Sequence, residues 1–145
     1  MTIALPDLVA MERFGAQIAA LLEPGDVVAL SGDLGTGKTT LARAIIAALG
    51  HTGEVPSPTY TIIEAYDALR IPLVHADFYR LKHPAEVEEL GLDDYREGAA
   101  LLAEWPDHAG GFGHEAGCLA IALKKVGEGR EAVVTPGENW LSRWP

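Results

Sequence analysis

Basic residues are scarce in this chain, and cysteine is scarcer still. Eleven lysines and arginines stand against twenty-one aspartates and glutamates in 145 residues, for a formal net charge of −10. A surface that grips nucleic acid neutralises phosphates with a basic face, so the chain by itself is a poor candidate for holding a duplex or an RNA. The single cysteine, Cys118, excludes an internal disulfide and gives no sign of an oxidising compartment. Inside an apolar run it reads as a small buried hydrophobe. No apolar run approaches the ~18 residues of a membrane span. The N-terminus shows no basic n-region of a signal peptide, and its first helical stretch carries Glu12 and Arg13. The arginines, at positions 13, 43, 70, 80, 96, 130 and 143, form no lid-like cluster. The expectation is a soluble, cytoplasmic protein with no membrane contact.

What the chain does have is apolar mass and a strongly punctuated order of elements. Its residues are 48% hydrophobic and 22% charged, with mean hydropathy +0.11, which excludes a largely disordered chain. The length suits one domain with a real core. Asp7 is placed to cap a helix, after which Leu8, Met11, Gly15, Ile18 and Leu22 fall on one face. "EPGD" (23–26) ends that helix, and "VVAL" (27–30) reads as a short strand. "TTLARAIIAALG" carries a stripe of Leu41, Ile45, Ala48 and Leu49, with Gly50 positioned to stop it. "HTGEVPSPT" (51–59) is loop-like. "YTIIEAY" and "IPLVHAD" read as strands, "HPAEVEELGLDDYREG" as helical with Pro84 in its first turn, and "AALLAEW" as another strand. "CLAIALKKV" and "EAVVTP" flank "GEGR" as an edge hairpin. These elements predict a single α/β domain over 1–145. Its central sheet is mostly parallel, flanked by helices, with an antiparallel C-terminal hairpin. Residues 138–145 read as a tail whose Trp140, Leu141 and Trp144 either pack back onto the domain or meet a partner.

The stretch "LSGDLGTGKTTLARA" (30–44) places Gly32, Gly37, Lys38 and Thr39 at the spacing G-x-x-x-x-G-K-S/T, between a strand and a helix. Each residue type has a job there. Glycines let backbone N–H groups converge on phosphates without a Cβ in the way. The N-terminus of the following helix adds free donors and the positive end of its dipole. Gly35, Thr36, Gly37, Lys38, Thr39 and Thr40 are therefore the expected nucleotide-binding residues. Lys38 reaches the β- and γ-phosphates, and the Thr39 hydroxyl ligates Mg²⁺.

A phosphate loop of this kind works with a second carboxylate at the end of a neighbouring strand. Asp77 closes "IPLVHAD" and Glu104 closes "ALLAE", and strand ends bring both near the loop in a parallel sheet. The pattern alone leaves open which holds the metal and which positions a water. His75, two residues before Asp77, points to the same side of its strand and either orients that carboxylate, lines the cleft or makes an ordinary hydrogen bond. Arg80 suits either phosphate oxygens or a surface ion pair. "PSPTY" (56–60), rigid and hydroxyl-bearing, is either a plain connection or a switch segment, since nucleotide-sensing switches sit at this point of the chain.

Taken in order, "GDLGTGKTT", "SPTYTII", "HADFYRL" and "EWP" span residues 32–106. This series closely resembles the TsaE (YjeE) family, the small bacterial ATPase of tRNA threonylcarbamoyladenosine synthesis, and the likeness runs from "LPD" to "GREAVV". The resemblance implies a cytoplasmic P-loop protein that binds ATP or ADP with Mg²⁺. It implies work alongside a TsaD-like threonylcarbamoyl transferase and its TsaB-like partner, with tRNA met only through the complex. By the same resemblance Thr39 and Glu104 hold the metal, Asp77 activates water together with Lys38 on the phosphates, and Thr59, Tyr60 and Thr61 form a switch facing the transferase. Where the family often has a hydroxyl residue in the first helix near adenine, this chain has Met11, which either removes that contact or makes it one of packing. Two other uses of the same loop stand beside this one: a small-molecule kinase, and a nucleotide-sensing module that does not hydrolyse.

Overall fold

Three strands that read in the sequence as near-continuous apolar runs lie side by side in the sheet. β2 (Val27–Ser31), β4 (Leu73–Asp77) and β5 (Ala100–Glu104) are buried along almost their whole length, as parallel strands covered on both faces must be. The structure, a computed structural model, describes residues 1–55 and 63–144. The remaining strands are β1 (Thr2–Leu5), β3 (Ile63–Tyr66), β6 (Cys118–Val126) and β7 (Gly129–Pro136), and the sheet order is β1-β7-β6-β2-β5-β4-β3. The pairings β6–β2, β2–β5 and β5–β4 are parallel; β1–β7, β7–β6 and β4–β3 are antiparallel. The sheet is thus parallel at its centre and antiparallel at both edges, with the expected C-terminal hairpin formed by β6 and β7.

The alternation of β2 divides the core. Val28 and Leu30 face one side, where helix α1 (Leu8–Leu21) packs Met11, Phe14 and Ile18 and helix α2 (Lys38–Ala48) packs Leu41 and Ile45. Val27 and Ala29 face the other, against Val74, Leu101, Phe78, Leu92 and Phe112. Asp7 caps α1 as expected, its Oδ1 accepting the Ala10 N–H at 2.9 Å, a contact worth roughly 1 kcal/mol. α2 ends at Ala48, and Gly50, at φ 110°, supplies the left-handed turn that leaves it.

Three features depart from or extend the sequence reading. The segment Thr2–Leu5, unassigned by pattern, adds an edge strand to β7. The polar helical stretch is two short helices, α3 (Glu86–Leu90) and α4 (Leu92–Arg96), because Gly91 at φ 71° breaks the helix between them. The C-terminal segment lies against the body. Trp140 is fully buried with its Nε1–H donating to Gly117 O at 2.7 Å, Trp144 is buried, and Leu141 remains exposed. The proposed switch residues Thr59, Tyr60 and Thr61 lie outside the described residues.

Candidate functional site

The loop between β2 and α2 takes the backbone shape its glycines permit. Gly32, Gly35 and Gly37 have φ of 138°, 77° and 100°. At Gly32 a Cβ would fall 2.4 Å from Leu123 O, so only glycine fits beside β6. Gly37 precedes α2 without a side-chain cap, which leaves the helix's first N–H groups pointing into the loop, the arrangement that suits an anion.

Gly35, Gly37, Lys38, Thr39, Thr40, Asp77 and Glu104 all line one cleft of about 420 Å³. Thr36 is the exception among the expected residues: it is buried, and its hydroxyl donates to Asp33 O at 2.9 Å, bracing the loop from inside. Lys38 is also buried, its Nζ donating to Gly32 O and Asp33 O at 2.7 Å each and lying 4.3 Å from the centre of the Trp105 ring. Burial pulls the Lys38 pKa below its usual range, while the negative charges of Glu104, Asp77 and Asp33 pull it back up.

The two strand-end carboxylates have different surroundings. Glu104 is 2% exposed; its Oε1 accepts the Thr39 hydroxyl at 2.7 Å and its Oε2 meets His75 Nε2 at 2.6 Å. Asp77 is half-buried, its Oδ1 accepting the Tyr79 N–H at 3.0 Å. Burial raises its pKa and the neighbouring Glu104 adds to the rise, against the Tyr79 N–H, His75 and Lys38, which lower it. His75 and Asp77 do share a face, as their spacing requires, but the partner of His75 is Glu104 across the strand pair.

Sequence reasoning passed over Trp105 and Arg130. Trp105 adopts φ 55°, a left-handed conformation for a bulky residue, as the chain turns out of β5; its N–H donates to Leu30 O at 3.2 Å. Such strain costs on the order of 1–3 kcal/mol and clusters at working sites. Here it lays the indole beside Lys38, with Tyr79 4.9 Å away, ring centre to ring centre. Arg130, among arginines that looked scattered, comes from the start of β7 and donates to Gly35 O at 3.2 Å. It lines both the main cleft and a smaller cavity of about 180 Å³ that also includes Asp7, Met11, Gly37 and Thr40. Only the hairpin register could have revealed Arg130, because it lies 95 residues from Gly35. Arg80, at the other candidate position, lies outside these two cavities.

The donor set fits a Mg²⁺ ion shared with a nucleotide. Among the described residues no cluster of three or more His, Cys, Asp or Glu forms an all-protein metal cage. Mg²⁺ with phosphates needs less: hard oxygen ligands from one or two side chains, the rest from phosphate and water. Thr39 Oγ1 and Glu104 Oε1, already in contact, provide such a pair.

A family model described as "Threonylcarbamoyl adenosine biosynthesis protein TsaE" matches residues 5–132. The chain belongs to the TsaE family. The protein named tRNA threonylcarbamoyladenosine biosynthesis protein TsaE from Haemophilus influenzae is 41% identical over 125 residues, covering 82% of this chain and 79% of that protein. Its namesake from Synechocystis is 42% identical, covering 74% and 71%. That from Bacillus subtilis is 49% identical over 88 residues, covering 60% of this chain and 54% of the relative. In three dimensions the chain is similar to the crystal structure of Bacillus subtilis YdiB, with a TM-score of 0.80 and 32% identity over 98% of this chain and 88% of that one. A TsaE-family protein thus has its place in the biosynthesis of threonylcarbamoyladenosine in tRNA. Among the described residues no helix is long and apolar enough to cross a membrane.

Proposed function

We propose that this TsaE-family chain binds ATP and ADP with Mg²⁺ as a single cytoplasmic P-loop domain and hydrolyses ATP. That hydrolysis supports turnover of a TsaD-like transferase with its TsaB-like partner. The observation that carries the reading is the direct Thr39–Glu104 hydrogen bond, which joins the hydroxyl of the loop to the end of a neighbouring strand. In this reading the N–H groups of Gly35 to Thr40 bind the phosphates, and Lys38 exchanges its loop carbonyl partners for β- and γ-oxygens. Thr39 and Glu104 hold Mg²⁺, which when bound neutralises charge that develops on those oxygens. Asp77, at the cleft edge and less engaged than Glu104, orients the attacking water. Trp105 and Tyr79 wall the cleft beside it.

A net charge of −10 accords with tRNA being held by the partners rather than by this chain. Arginine fingers supplied in trans are worth roughly 10³–10⁵ in rate. The chain alone therefore turns over slowly, and the partners accelerate it. The test is steady-state ATP hydrolysis with Mg²⁺, with and without the TsaD-like and TsaB-like proteins, with Lys38→Ala as the blank. Acceleration by the partners is expected. Equal turnover alone and in the complex sinks partner activation. Control of complex formation by nucleotide without any hydrolysis leaves a sensing module instead, and a phosphorylated metabolite would make the chain a kinase.

A further inference from the structure

His75 is a costly residue for its position. It is wholly buried at the middle of β4, in register with Leu102 of β5. Its Nε2 lies 2.6 Å from Glu104 Oε2, while its Nδ1, equally buried, has no hydrogen-bond partner. An ionised carboxylate only accepts, so the proton between the two sits on Nε2. The Nδ1 atom is then an orphaned acceptor in the neutral ring, or an orphaned donor in the charged one. Buried polar atoms are nearly always satisfied, and an exception calls for a reason. An apolar side chain of similar volume would fill the same space without the orphan, so packing does not explain the histidine. What the imidazole alone supplies is the Nε2–H donor aimed at Glu104.

That donor settles how Glu104 stands. A carboxylate at a strand end rotates about its last bond, and two oxygens held by one partner can exchange places. Glu104 is pinned at both ends: Oε1 by the Thr39 hydroxyl at the start of α2, and Oε2 by His75 from β4. The three side chains come from three separate elements. We propose that His75 is the positioning residue of the metal-side carboxylate, fixing Oε2 of Glu104 so that Oε1 stays turned toward the Thr39 hydroxyl. It also keeps the two strand-end carboxylates distinct, since its donor is spent on Glu104 and not on Asp77, which shares its face. The inference rests on Glu104 and Thr39 being the Mg²⁺ ligands of the proposed nucleotide site.

The experiment is calorimetric titration of ADP into the full chain in Mg²⁺ and, separately, in EDTA. The proteins compared are the unmodified chain, His75→Leu, His75→Gln, Glu104→Gln and the His75→Leu/Glu104→Gln double variant. Partners that orient a metal ligand typically account for about 10–100-fold in metal affinity. His75→Leu is therefore expected to lose that factor in ADP affinity with Mg²⁺ while its affinity in EDTA stays unchanged. His75→Gln, whose amide N–H reaches as far as Nε2–H, recovers part of the loss. The double variant behaves as Glu104→Gln alone. If His75→Leu does not fold, His75→Asn takes its place: it keeps an amide but holds it too close to the backbone to reach Glu104. A His75 variant that loses affinity equally with and without Mg²⁺, or that keeps full Mg²⁺ dependence while Glu104→Gln loses it, overturns the role of His75 and leaves the metal site standing. Unaltered Mg²⁺ dependence in Glu104→Gln removes the metal site itself, and this inference with it.

Discussion

Asp77 and Glu104 stand directly opposite each other as the last residues of the parallel strands β4 and β5. Two carboxylates in register with each other have thereby acquired two environments. Glu104 is buried and held through both oxygens, whereas Asp77 sits at the cleft edge with the Tyr79 N–H on Oδ1. Asp77→Asn is expected to keep Mg²⁺-dependent nucleotide binding and to lose hydrolysis by ~10²-fold or more. Glu104→Gln is expected to lose the Mg²⁺ dependence of binding first. Calorimetry paired with single-turnover hydrolysis separates the two, and matching defects in both variants would erase the distinction.

Arg143 ties the C-terminal segment to the turn before β2. Its guanidinium donates to both oxygens of Asp26, at 2.7 and 3.0 Å, and to Leu21 O at 2.6 Å, and it lies 4.2 Å from the centre of the Trp140 ring. Asp26 is 4% exposed, so removing its partner leaves a buried charge. Arg143→Ala should cost about 3 kcal/mol in urea unfolding. Arg143→Lys should recover little of that, since an ammonium cannot match the paired geometry. A loss within the ordinary surface range would show that the segment is not held by this clamp.

Gly15 lies in the middle of α1, where alanine would ordinarily favour the helix by about 1 kcal/mol. Here a Cβ would stand 2.6 Å from Ala44 Cβ and 3.1 Å from backbone atoms of α2. Overpacking of this kind costs about 1–3 kcal/mol, so the packing term wins. Gly15→Ala should be destabilised by roughly 1 kcal/mol net, and its cost should be smaller when measured in an Ala44→Gly background, where the closest contact is gone. A stabilised Gly15→Ala in chemical denaturation would mean that the helices are further apart than this contact.

Burial pushes the Cys118 thiol up to about 11 from an ordinary value of 9.0. Between those values the unfolded chain has released the proton and the folded chain has kept it. The folded state then binds more protons, and stability falls as pH rises. The effect is absent below pH 9 and complete near pH 11, where it amounts to about 3 kcal/mol. Urea midpoints for the unmodified chain and Cys118→Ala should therefore converge with rising pH across that window. In the native protein at pH 8 the thiol should resist alkylation.

Much of the site was legible because its parts are encoded locally. The glycines, Lys38 and Thr39 occupy consecutive positions whose spacing is itself the chemistry, since the loop needs left-handed glycines and the helix N-terminus follows at once. The same holds for the Asp7 cap, the stop at Gly50 and the apolar runs of β2, β4 and β5. In the structure those runs lie in the parallel centre, where strands covered on both faces are continuously hydrophobic. The strand Thr2–Leu5 escaped notice because an edge strand needs no such run; it gains its place only by pairing with β7.

What the tertiary structure alone decided are the relations between distant residues. Which carboxylate Thr39 would meet, which one His75 would hold, and that Arg130 would reach Gly35 all depend on strand order and register. Those are set by hydrogen bonding and packing across the sheet, over separations of 65, 29 and 95 residues. Sequence spacing carries geometric information only as far as one element keeps its period. Beyond a helix or a strand the direction of a side chain belongs to the fold, and it was the fold that made unlike groups of Asp77 and Glu104.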